Sequence, residues 1–122
     1  MEALERARLL FYQALELIQD ECFEAAEPCL REAADLAPER VSVLINLSAV
    51  LFKQKKITEC QAVARRALEL ERNNVQAWEH LCACLVHEKK FADALALVDQ
   101  ALTILPDASE LWVAKGAVLA GL

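Results

Sequence analysis

Glycine and proline are nearly missing: the 122-residue chain has two of the first and three of the second, and its aromatic content is only 6%. Sheets need turn residues between strands and β-branched or aromatic side chains within them, so this scarcity argues against a β fold. Cations are short as well, with 13 Lys and Arg against 19 Asp and Glu, for a net charge of −6. A nucleic-acid binder needs a basic face to neutralise phosphates, and a peripheral membrane protein needs a polybasic patch. Neither is present, so no nucleic acid and no membrane are expected as partners. No apolar run reaches the roughly eighteen residues of a membrane span. The start, MEALERARLL, is acidic and amphipathic rather than a basic stub before an apolar stretch, so no secretory leader is expected. The five cysteines, Cys22, Cys29, Cys60, Cys82 and Cys84, are odd in number and lack a disulfide-framework spacing. They fit a reduced, cytoplasmic chain with small buried thiols.

What the chain does have is Ala, Leu and Glu, with 57% hydrophobic residues overall. That composition fits an all-α domain with short connections. Three stretches of 34 residues tile it without a gap, starting at Ala7, Val41 and Val75. Position 4 of each is Leu10, Leu44 or Trp78, and position 11 is Leu17, Leu51 or Leu85. Small residues recur at position 8 (Ala14, Ser48, Cys82), position 20 (Ala26, Cys60, Ala94) and position 27 (Ala33, Ala67, Ala101). Spacings of three and four place positions 4, 7, 8 and 11 on one stripe of a first helix, and positions 20, 24, 27 and 28 on one stripe of a second. Small residues at 8 and 20 let the two helices approach closely. The polar segments QDE, QKKIT and EKK separate the helices of a unit, and Pro38 and Pro106 close second helices, since proline cannot continue one. Seven helices are expected, near residues 4–20, 23–37, 40–54, 57–71, 74–88, 91–105 and 108–121.

This pattern resembles the tetratricopeptide repeat, a 34-residue helix–turn–helix with the signature W-x2-L-G-x2-Y, then A-x3-F, A and P. AWEHLCACL and RRALELERNN look much like consensus stretches of it. The resemblance covers repeats 7–40, 41–74 and 75–108, and continues into a terminal helix, 109–122, with Trp112 at position 4 and Gly116 at position 8. It implies one domain over 1–122, a right-handed superhelical solenoid of antiparallel helix pairs. The departures are few. Position 8 carries no glycine in the three full repeats, and the glycine usual near position 15 is Glu21, Lys55 and Lys89. Arg72 stands where repeat two would have its proline, and Pro28 falls near the start of a second helix.

The stretch HLCACLVH, residues 80–87, holds both histidines and two cysteines. His80, Cys84 and His87 share one side of a helix, but His80 and His87 lie about 10.5 Å apart along its axis at ~1.5 Å per residue. One zinc could not use all three, and Cys82 and Cys84 occupy positions that want small packed residues. No metal, no cofactor and no catalytic residue is therefore expected, and the chain is not expected to be an enzyme.

In the family, ligands lie against positions 2, 5, 6, 9, 12 and 13 of the first helices. The resemblance therefore points to Arg8, Phe11, Tyr12 and Leu15, with Ile18 and Gln19 beyond them, in repeat one, and to Ser42, Ile45, Asn46, Ala49, Phe52 and Lys53 in repeat two. In repeat three it points to Gln76, Glu79, His80 and His87, with Ala83 and Val86 between them. Such a groove is apolar at its N-terminal end and polar, with two histidines, at the other. Its affinity for an acidic partner would rise as those histidines protonate. A protein or peptide partner in the concave groove, with the chain as adaptor or scaffold, is the expected function. The substrate-recruiting arm of a larger enzyme such as a glycosyltransferase, or a chaperone for apolar client segments, are the alternatives. Relatives that grip a C-terminal EEVD use a clamp of Lys and Asn, then Asn, then Lys and Arg. The matching residues here are Phe11, Leu15, Asn46, Gln76 and His80, so an EEVD-type clamp is not expected. The apolar end LWVAKGAVLAGL is in phase with the first helix of a further unit, so either a longer repeat array or a homodimer through the C-terminal helix is expected, with Trp112, Val118 or Leu119 at the contact.

Overall fold

A computed structural model describes residues 2–122 and contains seven α-helices among them. They are α1 (Glu2–Gln19), α2 (Phe23–Leu36), α3 (Val41–Lys53), α4 (Ile57–Leu70), α5 (Val75–His87), α6 (Phe91–Ile104) and α7 (Ser109–Gly121). No strand occurs among the described residues. The helix positions expected from the spacing hold to within two residues at each end. Each helix packs on the next in the chain, and α5 also touches α3 and α7, which makes a solenoid of helix pairs with first helices neighbouring one another.

The turn inside each pair is the same device used three times. Glu21, Lys55 and Lys89 have φ of 59°, 62° and 61°, the left-handed region. In each case that residue's amide bonds the carbonyl three back, and the next amide bonds the carbonyl five back, as in Cys22 to Leu17 at 2.8 Å. This is the Schellman closure of a helix. A side chain in that conformation costs roughly 1 kcal/mol against glycine. Exposed polar residues carry it here, in a place that more often holds glycine.

The connections between pairs are also repeated. The indole of Trp78 donates to the Arg72 carbonyl at 2.8 Å, and that of Trp112 to the Pro106 carbonyl at 2.8 Å. Both tryptophans are at position 4 and both carbonyls at position 32 of the preceding unit, so the bond does not depend on whether proline or arginine supplies the oxygen. Asn74 caps α5 by accepting from the Ala77 amide at 2.9 Å. Pro28 is the sixth residue of α2, and the helix runs through it on an exposed face.

The core follows the small positions. Ala14, Ala26, Ala33, Ser48, Cys60, Ala67, Cys82, Ala94 and Ala101 are all buried. Around them pack Leu30, Val50 and Leu51 toward the N-terminus, and Trp78, Val98 and Leu111 toward the C-terminus. Val118 is fully buried with Cys82 and Ala94, which corrects its expected place at an outer contact. Gly121 lies under the Phe91 ring, where any Cβ would collide with it.

Glu27 ties the first pair to the second. Its carboxylate accepts from Lys56 at 2.8 Å, from Gln54 at 2.8 Å and from Arg31 at 2.7 Å. One unit further on, Gln61 donates to Glu88 at 2.9 Å, the same link with donor and acceptor exchanged. Lys56 first, then Arg31 and Gln54, hold the Glu27 carboxyl down at about 2 from an ordinary 4.5, against the opposing effect of burial. A carboxyl depressed in the folded state contributes stability above its unfolded value, and loses it as pH falls toward the folded one. Glu27→Gln should therefore lower stability by about 2 kcal/mol at pH 7. The difference between wild type and variant in thermal melts should shrink from pH 4.5 downward, and an undiminished difference at pH 2 would contradict this role.

Candidate functional site

Position 9 of the first helices decides where space opens. It is Ala49, Ala83 and Ala117 in α3, α5 and α7, but Leu15 in α1. Between α3, α5 and α7 lies a cavity of about 520 Å³, a volume within the range of ligand sites. From α3 it is lined by Ala49, Phe52 and Lys53. From α5 come Gln76, Glu79 and His80, with Cys82, Ala83 and Val86 beside them. The α7 wall is Glu110, Val113, Ala114 and Ala117. These four were missed in the sequence, although they are positions 2, 5, 6 and 9 of a unit starting at Ser109; the rule applied to the full repeats would have found them.

The remaining expected residues divide. Arg8, Phe11 and Tyr12 line a separate hollow of about 140 Å³ with Leu4 and Val43, large enough for one side chain. Leu15, Asn46 and His87 line neither space. Asn46 spends an amide hydrogen on the Ser42 carbonyl of its own helix at 2.8 Å. Ile45 is 5% exposed and packs with Leu44, Ala67 and Ala77, so its expected place on the groove wall is corrected to the core. The apolar end of the groove also changes place: large side chains fill it near α1, and alanines leave it open near α7.

Phe52 is half-buried, packing on the core of the first two pairs and meeting His87 edge to face at 6.2 Å between ring centres. It is a wall of the cavity and a support of the fold together. Substituting it would disturb both.

HLCACLVH resolves into three environments. Cys84 donates its thiol to Cys60 across 3.3 Å of buried contact between α5 and α4. That bond keeps the proton on Cys84, whose thiol is pushed far up. Cys82 faces Ala94 and Val118, and burial raises its thiol too. His80 turns its Nδ1 to the hydroxyl of Ser48, which is fully buried. Ser48 gives its one proton to the Ile45 carbonyl at 2.8 Å, since a carbonyl cannot donate. The proton of the second bond must then come from the ring, so His80 is the Nδ1–H tautomer and its Nε2 is an acceptor. His80, Cys84 and His87 do not converge, and among the described residues no group of three His, Cys, Asp or Glu is placed to hold a metal ion.

Burial pushes His80 below its ordinary 6.5. The lower value shifts any gain of charge at His80 to more acidic pH than an exposed histidine would need. Glu79 is raised, by burial first and then by the Glu110 carboxylate.

The model of the tetratricopeptide repeat family matches residues 51–118. No curated protein matches the chain in sequence. Among solved structures, the TPR domain of Arabidopsis OM64 is similar with a TM-score of 0.89 at 15% identity, over 98% of this chain and 99% of that one. The TPR2B domain of yeast Sti1, in complex with pHsp70, gives 0.87 at 21% identity, over 97% and 99%. The first TPR of Spaghetti (RPAP3), bound to the HSP90 peptide SRMEEVD, gives 0.85 at 17% identity, over 96% and 93%. At such identities the likeness is one of fold.

Long-range ¹H–¹⁵N spectra should show His80 protonated at Nδ1 at neutral pH, with a titration midpoint below 6.5. Ser48→Ala should admit the other tautomer. A wild-type His80 protonated at Nε2 would refute the Ser48 network.

Proposed function

The chain belongs to the tetratricopeptide repeat family, and we propose that it acts as a protein-interaction module whose groove between α3, α5 and α7 receives a peptide segment of a partner. The observation that carries this reading is the run of alanines at position 9, which leaves a cavity of about 520 Å³ walled by Phe52, Val86 and Val113 and rimmed by polar groups. The three units and terminal helix serve together as one scaffold, without chemistry of their own. Five unpaired thiols, three of them buried, suit a cytoplasmic setting. No described helix is long and apolar enough to cross a membrane.

Two of the similar structures hold Hsp70 or HSP90 peptides, but the carboxylate clamp does not carry over. Its positions here are Phe11, Leu15, Asn46, Gln76 and His80, which offer no lysine or arginine.

Ala83→Trp tests the groove, because Ala83 is a half-buried residue of the cavity wall that belongs to none of the buried core clusters. Partners retained by the wild-type domain from a lysate, identified by mass spectrometry, should lose at least tenfold in affinity to the variant, about 1.4 kcal/mol. An EEVD peptide should bind neither protein at micromolar concentration. Partners that bind the variant undiminished would place the interaction elsewhere.

A second contact is supported on the outer face of α7. Trp112 and Leu119 are 52% and 50% exposed, and nothing lies within 4 Å of a Cβ built on Gly116. The corresponding positions 8 and 11 of the full units are covered by second helices: Leu51 is fully buried, and Ala14, Ser48 and Cys82 are buried too. A second copy of the chain can cover this stripe through a self-complementary contact. Light scattering across a hundredfold dilution should show a dimer that Leu119→Glu converts to monomer; a wild-type monomer throughout would remove this contact.

A further inference from the structure

The groove proposed above as the peptide site is unevenly charged, and its charges are not neutralised by the chain itself. Glu79 of α5 and Glu110 of α7 both line the cavity. Among the described residues neither is paired with a cation: the nearby ion pairs are Lys90 with Glu88 just past α5, and Lys115 of α7 with Asp99 of α6. Glu110 accepts only from the neighbouring Ser109 hydroxyl, at 3.2 Å. Burial of Glu79 against the apolar wall, and then the nearby Glu110 carboxylate, raise the Glu79 carboxyl from its ordinary value. His80 adds a neutral Nε2 acceptor to the same wall. The donors are Lys53 on the α3 side and the Gln76 amide. One side of the cavity thus presents acceptors and negative charge, and its floor presents Ala49, Ala83, Ala117, Phe52, Val86 and Val113.

Resting on the reading that the groove binds peptide, we infer that its occupant is a basic–apolar segment. A lysine or arginine seats against Glu79 and Glu110, and a neighbouring branched or aromatic side chain lies on the apolar floor. A cation between the carboxylates relieves their repulsion and makes charge-assisted hydrogen bonds in a half-desolvated place, where they are stronger than in water. The net charge of −6 draws such a segment toward the chain from a distance. An acidic segment meets like charge at both scales. This is the opposite preference to a carboxylate clamp, and it follows from the residues at positions 2 and 5 of the last two first helices.

The probe is a displayed library of random twelve-residue peptides, selected on the full 122-residue chain, on Glu79→Gln/Glu110→Gln and on Ala83→Trp. Both glutamines are isosteric and remove the repulsion, so the double variant should keep its helical melt. Wild type should enrich Lys and Arg beside Leu, Ile or Phe. The double variant should keep the apolar enrichment and lose the cationic one, and a peptide selected on wild type should bind it at least tenfold more weakly. Raising salt from 50 to 500 mM should weaken the wild-type complex and hardly alter the variant complex. Peptides neutral or acidic in composition, or a cationic preference that survives in the double variant, would overturn this inference while leaving a peptide groove in place. Equal retention by Ala83→Trp, or no retention by wild type, would overturn the groove reading as well. Self-association of the chain blocked by Ala83→Trp would replace the peptide by a second copy.

Discussion

The two small positions of each unit set how near its helices can lie. Ala14 and Ala26, Ser48 and Cys60, and Cys82 and Ala94 are between 0% and 4% exposed, each a small side chain enclosed by its neighbours. Overfilling such a place costs about 1–3 kcal/mol through displaced neighbours. With that distance fixed, the leucines at position 11 and the alanines at position 27 take their places in a series of core clusters that follows the helix pairs along the chain. The first helices are then forced into one row and the second helices into another. Ser48 and Cys60 find partners for their polar atoms, Ser48 with the Ile45 carbonyl and His80 and Cys60 with the Cys84 thiol, while Cys82 packs as a small apolar group against Ala94 and Val118. In this chain the chemical-looking residues therefore serve the packing.

A second consequence concerns the groove. Once the first helices stand in a row, the volume between them depends on what points into it. Leu15 fills the place near α1, while Ala49, Ala83 and Ala117 leave it empty further along. The cavity is a deficit of side-chain volume at one repeat position, bordered by side chains that the same periodicity makes polar. Phe52 illustrates the cost of such a border, because it must support the core behind it and face the groove in front.

Much of this was legible in the sequence. The helices, their order and their pairing followed from a 34-residue period and from spacings of three and four, which are local and survive folding. The left-handed turn residues were visible as departures at position 15, but their conformation was not, because glutamate and lysine carry no conformational signature there. Ile45 was misplaced because a groove position in an average repeat becomes core when the neighbouring helix offers Ala77 rather than a larger residue. Val118 was misplaced because one apolar stripe of α7 has two sides, and only the packing against Cys82 and Ala94 tells which is covered. Glu110, Val113, Ala114 and Ala117 were legible by the same rule that found Gln76 and Glu79. They were passed over because a helix without a following partner was treated as an edge instead of a wall.

The central claim is that the space between α3, α5 and α7 is the binding surface. Amide chemical-shift mapping of the ¹⁵N-labelled chain with a retained peptide tests it most directly. The account predicts perturbations concentrated at residues 49–53, 76–86 and 110–117, with α1 and the outer faces of α4 and α6 unmoved. Perturbations centred on α4 and α6, or on Arg8, Phe11 and Tyr12, would contradict it.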